Sequence, residues 1–233
     1  MLTAQCISVE WSILLKDPIR SHPTRAEQLD ILATVIADRA ETDDRILDFG
    51  CGTGYVAKLI LAKRADVSIV GIDLKPDSLA EARRNLLPYE DRFDGYAGNL
   101  EALNEIDVPD GPYRFAITAL TFHDLPDEVK RGVIDFATDR LTDDGYFLLY
   151  DRLRLTEAAT FPLQQSIWQR IEREYGRGMR TAKSFEDYKA DIAPNNRPAS
   201  LEDYFDWFSS AGLSMQILHL HGNVALIAGA KQG

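Results

Sequence analysis

The chain has 233 residues, 45% of them hydrophobic, enough for one substantial α/β domain with additions and too few for two full-sized ones. A formal net charge of −11 argues against extensive nucleic-acid contact, and two cysteines, Cys6 and Cys51, suggest no disulfide framework and fit a reducing cytoplasm. No segment approaches the roughly 20 apolar residues of a membrane span, and the opening stretch carries Glu10 without a basic leader, so a soluble cytoplasmic protein is expected.

In chain order, residues 1–43 supply helical sequence ahead of any strand, with Trp11, Ile13, Leu14 and Leu15 as apolar contributors. Thr24 with Glu27 reads as a capping box before a helix whose apolar side includes Leu29, Leu32, Val35 and Ile36. Arg45 to Phe49 is the first strand, and Gly50, Gly52 and Gly54 then allow a turn that brings backbone amides close to a ligand. Ser68 to Leu74 is a second strand ending in the acid Asp73, followed by a helix that Pro76 starts. Phe93 to Ala97 and Tyr113 to Leu120 are the third and fourth strands, the latter entered through the Asp110-Gly111-Pro112 turn. Pro126 opens a helix through Leu141, and Gly145 to Tyr150 follows the Thr142-Asp143-Asp144 turn as a fifth strand.

After an insertion at 154–199, Ser200 with Asp203 is a second capping box, its helix carrying Tyr204, Phe205, Trp207 and Phe208 and ending at Gly212. Strands at Ser214 to Leu220 and Asn223 to Ala230 are separated only by His221 and Gly222, which demands an antiparallel hairpin. The succession implies a parallel sheet with helices on both faces and a reversed last strand.

The string Ile46 to Tyr55, ILDFGCGTGY, separates two cofactor classes. A dinucleotide fingerprint wants Gly-x-Gly-x-x-Gly. Counted from Gly50 the third position is Tyr55, and counted from Gly52 it is Ala57, which only the looser form accepts. The pattern is instead Asp-x-Gly-x-Gly-x-Gly, led by Asp48, with the acid Asp73 at the next strand's end. This resembles the class I S-adenosylmethionine-dependent methyltransferases. The resemblance implies a doubly wound, seven-stranded, mostly parallel α/β sheet with an antiparallel last strand, and S-adenosyl-L-methionine as cofactor. It also implies roles residue by residue. Asp48 and the Gly50 carbonyl would hold the cofactor's ammonium, Gly52 and Gly54 would shape the loop, Asp73 would accept the ribose hydroxyls and Leu74 would lie against the adenine. Asn99 stands where the family commonly has an acid that accepts from the adenine amino group, followed by the apolar Leu100. Ala119, Leu120 and Thr121 match the segment that passes beside the methionine part.

A general base is required if the acceptor is a hydroxyl or carbon acid. His123, just beyond the fourth strand at the carboxyl edge of the sheet, is the candidate catalytic residue, and Asp124 reads as a cap for the next helix. His219 and His221 fall in the terminal hairpin and His22 in a linker; no metal site is expected. No Asn-Pro-Pro-Tyr or Asp-Pro-Pro-Tyr string follows the fourth strand, which argues against a DNA adenine enzyme.

Residues 152–198 carry nine basic side chains against six acids, while the remainder is strongly acidic. Arg170, Arg173 and Arg177 share one helical face there, and Phe161, Trp168, Tyr175, Phe185 and Tyr188 suit a lid that folds onto something. A single methyltransferase domain covered by the N-terminal helices and this lid is expected to act on a small-molecule acceptor that is polar or anionic. Nucleic acid and membrane are not expected partners, and a homodimer is compatible with the sequence. A carboxy-S-adenosylmethionine synthase-like enzyme, a tRNA-modifying methyltransferase and a noncatalytic cofactor-binding partner protein are the alternative readings.

Overall fold

In a computed structural model, which describes residues 23–175, 182–192 and 196–231, the apolar runs become seven strands of one sheet. Strands β1 (Arg45–Phe49), β2 (Ser68–Asp73), β3 (Phe93–Ala97), β4 (Tyr113–Ala119) and β5 (Leu141–Arg152) are parallel to one another. β6 (Leu213–His221) and β7 (Val224–Lys231) form the hairpin, and β7 lies antiparallel between β5 and β6, giving the order β3-β2-β1-β4-β5-β7-β6.

Period-two alternation sends successive side chains of each strand to opposite faces, and each face is covered. Ile46, Ile69 and Phe115 pack on one side beneath Leu29, Leu32 and Ile36 of α1 (Pro23–Arg39), Ile60 of α2 (Tyr55–Lys63) and Leu79 of α3 (Pro76–Asn85). Leu47, Phe49 and Phe147 pack on the other beneath Val133 and Ile134 of α4 (Asp127–Arg140) and Tyr204 and Phe208 of α7 (Leu201–Ser210). A third, smaller cluster of Phe161, Trp168 and Tyr188 joins α5 (Phe161–Tyr175) to α6 (Phe185–Asp191) within the insertion. Trp168 Nε1 donates to Asn223 Oδ1 at 3.3 Å, which fastens that cluster to the β6–β7 turn.

Helix α1 is fixed to the sheet through one buried amide. Gln28 Oε1 accepts from the Tyr150 hydroxyl at 2.8 Å, and its Nε2 reaches the Val224 carbonyl at 3.3 Å and His219 Nδ1 at 3.1 Å. A buried amide left without these partners would cost more than the bonds contribute, so the network specifies how α1 docks.

Several element boundaries differ from the sequence reading. α1 begins at Pro23, one residue ahead of the Thr24 that the capping-box pattern marks. β5 begins at Leu141, not Gly145: Tyr113 pairs with Leu141 and Phe115 with Tyr146, so the Thr142–Asp144 turn is a bulge inside the strand, tied to β4 through an Arg114–Asp144 ion pair. Pro126, not Asp124, occupies the N-cap position of α4, and Asp124 sits in the preceding 3₁₀ turn Phe122–Asp124. The hairpin turn is Gly222-Asn223, one residue later than expected, because His221 still pairs with Val224 and Gly222 supplies the positive φ of 61°.

Phe147 touches Phe49, Phe122 and Phe208 through ring contacts and is fully buried, whereas Phe205 on α7 is 57% exposed. Phe147→Ala is expected to cost about 3 to 5 kcal/mol of stability and Phe205→Ala about 0.5 kcal/mol or less, read from guanidinium midpoints. Equal losses would show that this face of the sheet is not the core.

Candidate active site

The connections leaving β1 and β4 run to opposite faces of the sheet, so a crevice opens at the carboxyl ends of these neighbours, the topological switch point of an open α/β sheet. A cleft of about 570 Å³ lies there. Gly50, Gly52, Asp73, Leu74, Asn99 and Leu100 line one part of it, and Ala119, Leu120, Thr121 and His123 line another. Asp48 and Gly54 do not line the cleft but stand behind its wall.

The glycines of the loop serve different ends. A Cβ added at Gly52, where φ is +53°, would meet nothing within 4 Å, so the loop leaves open space there that any larger side chain would fill. At Gly54 the added atom would come within 2.9 Å of Leu86 Cδ1, so this glycine lets α2 pack closely on the end of α3. The Gly52 N–H donates to Asp73 Oδ2 at 2.8 Å and the Lys75 N–H to Asp73 Oδ1 at 2.9 Å. Each carboxylate oxygen keeps a second lone pair for a ligand hydroxyl.

Asp48 is 1% exposed and its Oδ2 has no hydrogen-bond partner. Burial, and secondarily the neighbouring Asp73, push its pKa up to about 7. An orphaned buried carboxylate oxygen behind a glycine cradle suits a cationic ligand. Burial likewise pushes the Cys51 thiol well up, so the one described cysteine is inert packing beside Gly71.

Asn99 lines the cleft with its carbonyl already engaged, Oδ1 accepting from the Glu101 N–H at 3.0 Å as the cap of the 3₁₀ turn Leu100–Glu105. One lone pair of that carbonyl remains to accept from a ligand. Leu74 is 63% exposed at the tip of β2, an apolar surface offered to the cleft, while Leu100 is buried at its floor. Leu120 carries a positive φ of 56°, rare for a side chain with a Cβ, and its N–H donates to the Tyr150 carbonyl at 2.8 Å. Strain of this kind persists where neighbouring structure enforces it, and here it lies on the cleft wall.

His123 is buried and doubly held by Asp151, a residue that the sequence reading missed. Its backbone N–H donates to Asp151 Oδ2 at 2.9 Å, and its Nδ1 lies 2.6 Å from Asp151 Oδ1. Asp151 is fully buried at the next-to-last position of β5, and a carboxylate oxygen facing Nδ1 places the ring proton there and leaves Nε2 as an acceptor. Nε2 stands 3.5 Å from Asp124 Oδ1. The available signal for Asp151 was its place directly after the apolar run Phe147 to Tyr150, at the same sheet edge as Asp73. The exit of the insertion is also stapled here, the Arg197 N–H donating to the His123 carbonyl and the buried Lys130 ammonium to the Arg197 carbonyl.

The described part of the predicted basic face does not line the cleft. Arg170 and Arg173 are exposed on α5 and absent from the lining, and Arg177 lies outside the described residues together with Gly176 and Gly178. Among the described residues, the arginines that do line it are Arg25 of α1 and Arg152 at the end of β5. Trp11 and the rest of residues 1–22 lie outside the described residues.

A seven-stranded sheet in this order, with its last strand antiparallel, is the fold of the class I methyltransferases. A family model described as a methyltransferase domain matches residues 46–145, and the relatives and structural neighbours support a class I S-adenosylmethionine-dependent methyltransferase. It is similar to a carboxy-S-adenosyl-L-methionine synthase of Campylobacter lari, 23% identical over 67% of this chain and 65% of that protein, so the match spans under two thirds of that relative's length. Among solved structures, an O-methyltransferase family protein from Burkholderia thailandensis superposes with a TM-score of 0.66 at 17% identity, covering 91% of this chain and 61% of that one. Human N-acetylserotonin methyltransferase in complex with S-adenosylmethionine gives 0.60 at 17% identity, covering 88% and 51%. No helix among the described residues is long and apolar enough to cross a membrane.

Asp48 generates a pH prediction. A group with its pKa raised to about 7 is largely neutral below that pH, and a cationic ligand partnered with its orphaned oxygen favours the ionised form. Affinity for S-adenosylhomocysteine, which keeps the ammonium, should rise about tenfold between about pH 6 and about pH 8 and then level off. Asp48→Asn should flatten that profile in titration calorimetry, and an unchanged profile in the variant would assign the proton elsewhere.

Proposed function

We propose that the protein is an S-adenosylmethionine-dependent methyltransferase acting on a small molecule whose accepting atom must lose a proton. The observation that carries this reading is the His123–Asp151 pair, set on the same cleft as the glycine loop and Asp73. The open space at Gly52, the orphaned Asp48 oxygen and the Asp73 carboxylate fit the cofactor's main chain, ammonium and ribose. When bound, that cofactor supplies an electrophilic methyl group.

Chemistry of this kind asks the protein for alignment and, for a hydroxyl acceptor, for a base. Asp151 fixes the imidazole tautomer and orientation, so His123 Nε2 takes the acceptor's proton while Nδ1–H stays on the carboxylate. The imidazolium that forms is flanked by Asp151 and, at 3.5 Å, by Asp124. A neutral amine would need no such device, so the dyad favours O- or C-methylation. The described insertion, joined to the His123 carbonyl through Arg197, is well placed to serve as the acceptor's cover. Likeness to the Campylobacter synthase supports a second reading, binding of a carboxylated cofactor, which the mass of a co-purifying ligand distinguishes.

The test is transfer of labelled methyl from S-adenosylmethionine to a panel of phenols, hydroxy acids, amines and thiols. Asp151→Asn should lower kcat about 100-fold or more on a hydroxyl acceptor, because the amide donates to Nδ1 and forces the proton onto Nε2, while cofactor affinity is unchanged. Full activity in this variant, or transfer to amines alone, would remove His123 from the chemistry.

A further inference from the structure

Lys130 on α4 is fully buried and is absent from the cleft lining. Taking an ammonium out of water is expensive, and an apolar side chain of the same volume generally gives equal or greater stability. What the ammonium holds is therefore informative. Nζ donates to Asp127 Oδ1 at 2.7 Å in the first turn of α4, and to the Arg197 carbonyl on the chain that returns from the insertion. Trp207 of α7 stands over it, with its ring centroid 5.8 Å from Nζ.

Arg197 passes the constraint on through its main chain. Its N–H donates to the His123 carbonyl, and the following Pro198, which has no N–H to offer, favours an extended backbone at Arg197. The returning chain is anchored again just beyond. Ala199 accepts from the Arg154 N–H at 2.8 Å, and the Arg154 guanidinium meets Asp203 at 2.6 Å. His123 itself lies in a 3₁₀ turn of only three residues, Phe122–Asp124, and so short a turn makes few hydrogen bonds of its own. Ties from outside decide where the ring stands. Asp151 takes the His123 N–H and ring Nδ1, while Arg197 takes its carbonyl, so the residue is held at both ends of its main chain and at its imidazole.

We propose that Lys130 is a positioning residue for His123: its ammonium fixes the main chain at Arg197, Arg197 fixes the His123 carbonyl, and the ring is thereby kept at its short contact with Asp151. This rests on the methyl-transfer reading, in which His123 is the base, and deepens it. Lys130 acts through main-chain segments alone and takes no part in proton transfer.

The experiment is nuclear magnetic resonance of the full chain labelled with nitrogen-15 in its histidine rings, the His123 signals being identified by their loss in His123→Gln. The unsubstituted protein should show a protonated Nδ1 whose proton exchanges slowly with water, and an unprotonated Nε2. In Lys130→Met that proton and the Arg197 amide should exchange about tenfold faster or more, while S-adenosylhomocysteine affinity stays within about twofold. Lys130→Arg keeps a cation with several donors and should restore slow exchange in part. Val133→Ala, which opens a cavity on the same helix, should leave the His123 proton unchanged and so separates positioning from a general loosening of α4. Positioning by Lys130 is overturned if the His123 ring lacks a protonated Nδ1 in the unsubstituted protein, if its proton exchanges as slowly in Lys130→Met, or if Val133→Ala speeds it equally. Loss of a cooperative thermal transition in both Lys130 variants would overturn it too, by making this side chain a support of the whole fold. None of these measurements uses an acceptor or a methyl donor, so failure of the methyl-transfer assay is read separately.

Discussion

The 2.8 Å hydrogen bond from the Gly52 N–H to Asp73 Oδ2 ties the loop after β1 to the tip of β2, and the cleft is organised around that tie. It holds the glycine turn at the height where its open space meets the switch point between β1 and β4. It also occupies one lone pair of Asp73, so the carboxylate cannot swing away from the edge where a ligand hydroxyl would meet it. Gly54 then admits close packing of α2 on α3, which fixes the loop from its other end. Removing the acid would release the loop and the ligand contact together, which is why a single side chain matters so much here.

Electrostatics divide the cleft into two halves. On the β1–β2 side, Asp48 is buried with an orphaned oxygen and raised pKa, and Asp73 stands beside it, an arrangement costly until a cation arrives. On the β4–β5 side, Asp151 is equally buried but fully engaged, accepting from the His123 backbone, the His123 ring and the Arg152 backbone. One carboxylate keeps an unpartnered oxygen and the other is spent in orienting the His123 ring.

Much of the scaffold was legible because it rests on local pattern. β1 and β3 fall where the apolar runs put them, and the reversed last strand followed from the shortness of its turn. Asp48, the glycines and Asp73 were legible for the same reason, as residues of one strand–loop–helix unit and its neighbour. What escaped depends on contacts between distant segments. Asp151 lies 28 positions from His123 and reads in sequence as the end of an apolar strand. Arg25 gains its place through Gln28 and Tyr150, separated by 122 positions, and no local signal records that pairing. The bulge in β5 hid its start because Thr142-Asp143-Asp144 has turn composition, and the capping bond of Asn99 to Glu101 was not legible because a side-chain cap of a short 3₁₀ turn leaves no periodic pattern.

Titration calorimetry of S-adenosylhomocysteine into the unsubstituted protein and into Asp73→Ala tests the cofactor assignment most directly. The assignment predicts saturable one-to-one binding that weakens at least tenfold in the variant, since charged hydrogen bonds of about 1.5 to 3 kcal/mol are lost. Failure of the unsubstituted protein to bind, or equal affinity in a variant whose circular dichroism is unchanged, would contradict it.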